Sequence, residues 1–418
     1  MAKQFQIPQM YESPMIRTIK LARQATDPRK KDLSPAMLDF GPLRFFIPRH
    51  FGFCYGVQNA IDIAYRTLDE AQGRPVYLLG EMIHNPIVNE DLQRRGIKFL
   101  FNTDGTERIS LDRLNSNDIV IVPAFGTTLA IEERLKSKGI DPYSYNTTCP
   151  FVEKVWKRGS QLGSKGFNLV IHGKATHEET RATFSHAENN ARAVIVVLNT
   201  SEAQLLADCM LGLRTKDEFD QIFADKCTPG FDPQRDMERF GVINQTTMLA
   251  TETQEVIDIL RDAAIQRFGM ANIEAHVADT SDTLCYATNE NQSATLALME
   301  HQVDIALVVG GFNSSNTMHI VELLEKNYPT YHVRDLSDLP SPDEITHFDQ
   351  WTHTIKSTKN WLDTSQKPLN IAVTSGASCP DSMVDAILLK IISWFDGLHP
   401  LEEVLTPFKE LAGLNQPE

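Results

Sequence analysis

Three cysteines occupy matching positions along the chain and have the surroundings of metal ligands. Cys54, Cys149 and Cys285 each follow small or polar residues, and each precedes a stretch that is predicted to be helical. Pro150 follows Cys149 directly, at a position where proline is favoured as the first residue of a helix. A helix N-terminus lowers the pKa of a thiol and so favours the thiolate, which is the form that binds metals. The sequence therefore predicts three thiolate ligands.

Three thiolates could serve two kinds of metal centre. With a histidine they could hold zinc, and they could also hold a cubane iron–sulfur cluster through three of its four irons. Clusters used only for electron transfer normally have four cysteine ligands, so a three-cysteine cluster leaves one iron open to a substrate. The spacing alone does not choose between these centres. Of the other cysteines, we expect Cys209 and Cys227 to be core residues, whereas Cys379 adjoins a candidate site loop.

A polar cluster follows each of the three cysteines at a nearly constant distance of 30, 28 and 28 residues. These clusters begin at His84, His177 and Asn313. Further along, an apolar run in each third of the chain ends in a second small, polar cluster, at residues 124–128, 244–248 and 375–379. The spacing predicts three copies of one α/β unit, between which sequence identity is slight.

The polar clusters favour an anionic ligand. Ser314, Ser315 and Asn316 lie between an apolar run and a predicted helix, where hydroxyl, amide and N–H donors suit phosphate oxygens. Thr246 and Ser378 offer similar donors. Serine and asparagine are more often helix caps and turn residues, so on their own these clusters are a weak signal for phosphate.

The elements that position these residues are short apolar runs alternating with amphipathic helical stretches. The runs cover residues 76–81, 118–125, 168–173, 193–199, 304–311 and 370–376. Short, wholly apolar runs followed by helices are typical of buried parallel strands, so we predict an α/β fold. Functional groups in such sheets gather at the carboxyl ends of the strands.

The repeat also predicts a domain organisation. We expect an N-terminal extension over 1–45, a first α/β lobe over 46–148, a second over 149–280 with an insertion at about 200–240, a third over 281–395 and a tail over 396–418. The polar segment 335–368 is predicted to be a surface loop or a short helix.

Composition and charge exclude several classes of protein. The 418 residues carry 40 basic and 55 acidic side chains, for a net charge of −15, and no basic stripe of a nucleic-acid binder is present. The longest apolar stretches, 119–125 and 386–395, are shorter than the roughly 18 residues that a membrane span needs. No two cysteines lie closer than 18 residues, which excludes C-x-x-C pairs. A chain of this length does not need disulfides for stability, so we expect a reducing, cytoplasmic compartment.

The first 50 residues differ from the rest in carrying a net charge of +5. A transit peptide is one interpretation of this excess. Such peptides avoid acidic residues, however, and four acids interrupt this stretch. We therefore expect a solvated N-terminal extension.

Eight stretches together resemble the 4-hydroxy-3-methylbut-2-enyl diphosphate reductase family, which catalyses the last step of the methylerythritol phosphate route to isoprenoids. They run in family order from about residue 50 to about 395. The stretches are GFCYGV, IHNPIVNEDLQRRG, TCPFVEKV, HGKATHEET, QTTM, DTLCYATNENQ, GGFNSSNT and TSGASCPD. Each alone is weakly specific, but all eight in order are highly specific.

The resemblance implies three similar α/β lobes with mainly parallel sheets, in a pseudo-threefold arrangement around a central [4Fe–4S] cluster. Cys54, Cys149 and Cys285 fall on the family's three cluster ligands, which leave one iron open for the substrate's hydroxyl oxygen. The implied reaction is a two-electron reductive dehydroxylation that yields isopentenyl diphosphate and dimethylallyl diphosphate. Glu179 and Thr246 match the family's catalytic residues, with Glu179 as the proton-delivering acid and Thr246 as the threonine beside it, which also binds the substrate. The diphosphate-binding positions match His84, His177, Ser314, Ser315, Asn316 and Ser378.

The resemblance also implies partners. The family takes its electrons from reduced ferredoxin or flavodoxin, and this sequence lacks a G-x-G-x-x-G nucleotide fingerprint after a strand. We expect a monomer or homodimer without nucleic-acid or membrane partners. The expected compartment is the cytoplasm, or the plastid stroma in a eukaryotic host.

One position departs from the family pattern. Phe125 stands where the family usually has a histidine, and phenylalanine cannot donate a hydrogen bond to phosphate. The A-F-G form at this position resembles the longer, plant- and cyanobacterium-like branch of the family. Lys174 is our candidate for the residue that donates to the diphosphate in place of that histidine.

Two other functions compete with the reductase. A hydro-lyase would use the open iron only as a Lewis acid and would need no reductant. A cluster- or zinc-containing sensor or scaffold would not be an enzyme. Glu179, two residues after His177, argues against the sensor, because it could supply a proton if burial favoured its neutral form.

Overall fold

The computed structural model describes residues 5–279, 283, 285–365 and 367–414. Its strands are β1 Ala36–Asp39, β2 Leu43–Ile47, β3 Val76–Leu78, β4 Lys98–Phe99, β5 Ile119–Ile121, β6 Asn168–His172, β7 Val194–Val197, β8 Phe240–Asn244, β9 Ile305–Val309, β10 Thr330–Val333, β11 Glu344–Asp349, β12 Thr354–Lys359 and β13 Leu369–Ser375. All six predicted apolar runs contain a strand, because a buried strand between helices must be apolar on both faces.

Helices fill most of the intervals between the strands. They are α1 Pro14–Thr26, α2 Tyr55–Glu70, α3 Pro86–Arg94, α4 Leu129–Ser137, α5 Pro150–Ser164, α6 Glu178–Glu188, α7 Thr200–Met210, α8 Lys216–Phe223, α9 Pro233–Asp236, α10 Ala250–Phe268, α11 Ile273–His276, α12 Tyr286–Leu298, α13 Ser315–Leu324, α14 Asp381–Ile392 and α15 Leu401–Leu411. In the part of the chain that the structure describes, we find no helix both long and apolar enough to cross a bilayer.

The strands form three sheets. Two are three-stranded and wholly parallel, with the orders β4-β3-β5 and β7-β6-β8. The third has seven strands in the order β1-β2-β13-β9-β10-β11-β12, and its central strands β2, β13, β9 and β10 are parallel. The predicted α/β class with mainly parallel sheets is confirmed.

The chain divides into two compact units. Unit 1 comprises the described residues up to Gln58, His84–Pro86 and the described residues from Ala287 onward, and it contains the seven-stranded sheet. Unit 2 comprises Asn59–Ile83 and the described residues of Ile87–Tyr286, and it contains both three-stranded sheets. The lobe boundaries at residues 148, 280 and 395 stay a prediction.

The N-terminal extension is an integral part of unit 1, so the expectation of a solvated segment is wrong for α1, β1 and β2. Met15, Ile16, Ile19 and Ala22 form a buried stripe on α1, which packs against α14 and α15. β1 pairs with β2, and β2 pairs in parallel with β13. Arg17, Lys20 and Arg23 lie on α1, and Arg29, Lys30 and Lys31 follow it and are exposed. A charge count alone does not distinguish this amphipathic helix from a solvated tail.

The polar segment 335–368, predicted to be a surface loop or a short helix, contains a short 3₁₀-helix at Leu336–Asp338 but also contributes two strands that the sequence did not predict. β11 and β12 form an antiparallel hairpin that extends the seven-stranded sheet from β10. β12 is almost wholly exposed, so it lacks the alternating apolar residues by which a strand is recognised.

Cys209 and Cys227 are core residues of unit 2, as expected. Cys209 is buried in the hydrophobic cluster around β7 and β8, and Cys227 packs against the same cluster. Burial raises the pKa of each thiol to about 11, so both stay protonated at neutral pH. Cys209 and Cys227 therefore pack like small apolar side chains.

Candidate active site

Three predicted site residues from separate segments meet in unit 1. Ser314 caps the N-terminus of α13, where its hydroxyl accepts a hydrogen bond from the backbone N–H of Thr317 at 3.3 Å. The Ser378 hydroxyl lies 3.4 Å from the Ser314 hydroxyl and donates to the backbone carbonyl of His84 at 3.2 Å. All three residues are buried, so the two hydroxyls and the His84 carbonyl form one enclosed polar cluster.

The loop after β9 fits closely around His84. The Asn313 side-chain amide lies 3.2 Å from Nδ1 of the His84 ring. A Cβ atom on Gly311 would stand 2.5 Å from the His84 carbonyl oxygen, so only glycine fits at this position. The stretch G-G-F-N-S-S-N thus combines a close backbone approach with side-chain donors.

Asn316 links this cluster to the first cysteine. Its side-chain oxygen accepts the backbone N–H of Ala377 at 2.8 Å, and the Ala377 carbonyl accepts the backbone N–H of Cys54 at 3.2 Å. The Asn316 Nδ2 donor is buried and has no partner among the described residues. A buried, unsatisfied amide donor beside two hydroxyls suits an anionic ligand. Ser315, the first residue of α13, is half-buried.

All three matched cysteines stand directly before helices, as the sequence predicts. Cys54 precedes α2, Cys285 precedes α12, and Cys149 is the N-cap of α5, with Pro150 as the first helical residue. The Cys149 backbone N–H donates to the Ala124 carbonyl at 2.9 Å, which fixes this cysteine beside the loop after β5. The helix N-termini favour the thiolate forms of these side chains.

Cys285 is buried and is held through a neighbouring threonine. The hydroxyl of Thr283, two residues earlier, donates to the side-chain oxygen of Asn244 at 2.6 Å. Asn244 is the fully buried last residue of β8. This hydrogen bond therefore attaches Thr283 to the carboxyl end of a central strand in unit 2.

His177 has a defined ring orientation and tautomer. It caps α6, where its Nδ1 atom accepts the backbone N–H of Glu179 at 3.1 Å. In the neutral ring this acceptor role places the proton on Nε2, which is then a donor. The Phe125 ring meets the imidazole edge-on, with 5.5 Å between centroids and an interplanar angle of 83°. Gly126, with φ of 77°, follows Phe125 at a point where a Cβ atom would collide with Trp156.

Glu179 is a buried carboxyl group that contacts Thr246 with both oxygens. Oε1 accepts the Thr246 backbone N–H at 2.6 Å, and Oε2 accepts the Thr246 hydroxyl at 2.9 Å. Glu179 lies in the first turn of α6. The predicted proton donor and its threonine partner are thus directly bonded.

Gln245 is a site residue that the sequence patterns did not single out. Its buried side-chain oxygen accepts the Lys174 backbone N–H at 3.1 Å and the Thr180 hydroxyl at 2.9 Å, and its amide nitrogen donates to the Thr247 hydroxyl at 2.7 Å. Gln245 thereby joins the loop after β8 to the loop after β6. Its position in the Q-T-T-M stretch is the one signal that could have found it. The Lys174 side chain, our candidate diphosphate donor in place of a histidine at position 125, is exposed.

Cys379 differs from the three matched cysteines in its surroundings. It is fully buried in unit 1, and burial raises the pKa of its thiol far above the usual range. The thiol lies 3.6 Å from the Pro380 carbonyl, to which it donates. A protonated, enclosed thiol is a poor metal ligand, so Cys379 is best described as a core residue.

Each of the three cysteines at a helix N-terminus offers a thiol donor that is suited to a thiophilic metal centre. All six cysteines of the chain are thiols rather than disulfides. Soft thiolate ligands favour zinc or iron–sulfur clusters over magnesium or calcium. The residues present therefore fit either of the two centres that the sequence predicts.

A sequence model of the LytB protein family matches residues 46–392. The chain belongs to the LytB family. Two relatives of this LytB chain carry the name 4-hydroxy-3-methylbut-2-enyl diphosphate reductase. The protein from Gloeobacter violaceus is 39% identical over 82% of this chain and 80% of its own length. The protein from Prochlorococcus marinus (strain MIT 9301) is 38% identical over 84% of this chain and 86% of its own length.

A solved structure shares the fold of this LytB chain. It is the E-1-hydroxy-2-methyl-but-2-enyl-4-diphosphate reductase from Plasmodium falciparum, with a TM-score of 0.60 and 21% identity. The likeness covers 88% of this chain and 98% of the solved chain. At 21% identity, the comparison shows only that the two chains share the arrangement of their helices and strands.

Proposed function

We propose that this LytB chain is a 4-hydroxy-3-methylbut-2-enyl diphosphate reductase. The reaction is a reductive dehydroxylation, in which two electrons and two protons convert the allylic alcohol to water and an alkene. The products are isopentenyl diphosphate and dimethylallyl diphosphate. The observation that carries the proposal is the buried Glu179 carboxyl group bonded to Thr246, in a chain whose three helix-capping cysteines could hold a redox centre.

The redox centre that we propose is a [4Fe–4S] cluster held by Cys54, Cys149 and Cys285. Their positions before helices support thiolate ligation. When bound, such a cluster would pass on two electrons from an external donor, one at a time, and would supply a Lewis-acidic iron that eases the loss of hydroxide from carbon. The protein's own side chains would carry out the remaining steps, which are binding of the diphosphate and delivery of a proton.

The polar groups of unit 1 would bind the diphosphate. Ser314 and Ser378 supply hydroxyls, and the buried Nδ2 of Asn316 supplies a donor whose desolvation an anion would offset. His84 and Ser315 complete this set. In unit 2, the Nε2–H of His177 would be a further donor, because its Nδ1 already accepts the Glu179 N–H.

Glu179 would deliver the proton that turns the departing hydroxide into water. It is 1% exposed, so bulk water does not compete for its proton. Thr246 contacts both carboxyl oxygens and fixes the direction in which the acid faces. The second proton goes to one of two allylic carbons, and that choice sets which of the two products forms.

The electrons would come from reduced ferredoxin or flavodoxin, as in the family that the chain resembles. We further propose that the enzyme works as a monomer or homodimer in the cytoplasm, or in the plastid stroma of a eukaryotic host. The net charge of −15 does not oppose a diphosphate substrate, because a cleft can carry a local field of opposite sign.

The decisive experiment is anaerobic purification followed by iron and sulfide analysis and electron paramagnetic resonance, with and without 4-hydroxy-3-methylbut-2-enyl diphosphate. We expect about four irons and four sulfides per chain, a signal that changes with substrate, and turnover only with a reduced donor. Zinc in place of iron, or a signal indifferent to substrate, would overturn the proposal. Turnover without a reductant would indicate a hydro-lyase.

A further inference from the structure

A phenylalanine in the middle of the polar loop after β9 is held by three side chains from the neighbouring strands. The Phe312 ring stacks on Phe348, with 5.0 Å between centroids and an interplanar angle of 17°. His332 meets the same ring edge-on at 5.1 Å, and the Arg334 guanidinium lies over it at 4.6 Å. We call Phe348, His332 and Arg334 the Phe312 clamp.

The clamp is built where the β11–β12 hairpin joins the sheet. His332 on β10 and Phe348 on β11 are cross-strand partners in the antiparallel pair. Arg334, just after β10, is fixed by two hydrogen bonds from its guanidinium to the buried Asp338 carboxylate, at 3.0 and 3.3 Å. A charged group anchored in this way keeps its place over an aromatic ring.

The clamp also contacts the backbone of the loop. His332 is 1% exposed, and its Nε2 lies 3.2 Å from the Gly310 carbonyl, where the protonated nitrogen donates. Gly310 and Phe312 are therefore both attached to β10, while Gly311 between them approaches the His84 carbonyl. Three consecutive residues of the loop are thus fixed before the chain reaches Asn313 and Ser314.

We propose that the Phe312 clamp positions residues 310–316 for diphosphate binding. These residues comprise the loop after β9 and the start of α13, so the β11–β12 hairpin supports the substrate site. Phe348 and His332 are then positioning residues, which touch no substrate and act through Phe312 and Gly310. A flexible loop would lose conformational freedom on binding an anion, and a loop fixed beforehand does not. This inference rests on the proposed diphosphate-binding role of Ser314, Ser315 and Asn316.

The test compares Phe348→Ala and Phe348→Tyr with Ile355→Ala. Ile355 is the cross-strand partner of Phe348 on β12 and is 57% exposed, so its variant removes an apolar group beside Phe348 while keeping Phe348, His332 and Arg334 themselves. We expect Phe348→Ala to raise KM about tenfold with kcat changed less than about twofold and with full iron content. Phe348→Tyr keeps the stack and Ile355→Ala leaves it intact, so both should match the parent enzyme.

A second readout does not depend on turnover. Inorganic pyrophosphate is used as a probe of the diphosphate subsite, and its dissociation constant is measured by isothermal titration calorimetry. We expect the constant to rise in Phe348→Ala by the same factor as KM. Unchanged KM and pyrophosphate affinity would overturn the clamp proposal, as would equal losses in kcat and iron content. If Phe348→Ala does not fold, Phe348→Leu keeps the apolar volume without the stack and is measured in the same way.

These experiments distinguish failure of the clamp proposal from failure of the proposed function. If the parent protein binds pyrophosphate but shows no reductase activity, the reductase assignment is wrong and the clamp is still judged by the calorimetry. If the parent is active and Phe348→Ala binds pyrophosphate like the parent, the clamp alone is wrong.

Discussion

Both oxygens of the Glu179 carboxyl group are bonded to a single residue, Thr246, through its backbone N–H at 2.6 Å and its hydroxyl at 2.9 Å. The two residues are 67 positions apart in the sequence and lie after neighbouring strands of one parallel sheet. This pairing gives a buried acid one orientation. An acid that must deliver a proton to a particular oxygen benefits directly from such an orientation.

Replacing Glu179 with glutamine should remove the proton donor while keeping the shape of the side chain. We expect turnover to fall by about 10²–10⁴-fold, the usual contribution of a positioned general acid. Cluster iron should be unchanged, because Glu179 is not a proposed ligand. Glu188→Gln, an exposed acid at the other end of α6, is the matched control. Full turnover in Glu179→Gln would show that Glu179 is not the proton donor.

Replacing Cys149 with serine should abolish both cluster and activity, because a serine hydroxyl is a poor substitute for a thiolate at an iron. Iron analysis and the visible spectrum of the anaerobic protein measure the first effect. Cys209→Ala serves as the control, since Cys209 lies in the apolar core of unit 2. Equal iron loss in both variants would show that the three cluster ligands are wrongly assigned.

Replacing Phe125 tests whether this residue orients the His177 ring. Phe125→Ala removes an edge-on aromatic contact, which is worth about 0.5–1.5 kcal/mol. We therefore expect KM to rise about two- to tenfold with little change in kcat. Phe125→Tyr keeps the ring and should behave like the parent. A KM for Phe125→Ala equal to that of the parent would show that the ring contact has no role in binding.

The buried His332 should make the protein sensitive to acid. Burial lowers the pKa of His332 from 6.5 to about 4, with Asp338 and His347 as the nearby titrating groups. A lowered pKa means that the folded state favours the neutral ring. The resulting stability is complete above pH 6.5 and is lost as the pH falls towards 4. At 1.36 kcal/mol per pKa unit the loss is on the order of 3 kcal/mol.

The pH dependence is measured by urea unfolding between pH 4 and 7, for the parent and for His332→Gln. The glutamine variant should lose less stability across this range, because it has no proton to take up. His353→Gln, which changes an exposed histidine on the same hairpin, should follow the parent curve. Parallel curves for the parent and His332→Gln would show that another group causes the acid sensitivity.

The N-terminal helix should contribute directly to stability. Ile16 on α1 is fully buried, so Ile16→Ala should lower the free energy of unfolding by about 2–4 kcal/mol. Met10, which is 45% exposed, provides a control in which truncation to alanine costs little. Denaturant unfolding distinguishes the two variants. Equal stabilities would mean that α1 does not belong to the core of unit 1.

The sequence predicts much of the fold because its signals are local. Each of the six apolar runs contains a strand, since a strand covered on both faces requires consecutive apolar residues. Cys149 and Pro150 occupy the N-cap and first turn of α5 because capping and proline geometry depend on neighbouring residues. The N-terminal strands and the β11–β12 hairpin were missed, because β2 reaches its partner β13 only through pairing across more than 300 residues and the hairpin sequence is polar.

In the candidate site, too, local sequence signals predict some features and long-range contacts decide the others. The sequence by itself predicts which residues would carry the chemistry: three cysteines before helices, the polar clusters after strands, and an acid two residues after His177. The tertiary structure decides which of these groups touch: Glu179 with Thr246, Ser378 with Ser314, and Phe125 with His177. Gln245 and the Phe312 clamp are also found only there. Side-chain partnerships between distant segments depend on how strands are ordered in a sheet, and hydrophobic periodicity does not encode that order.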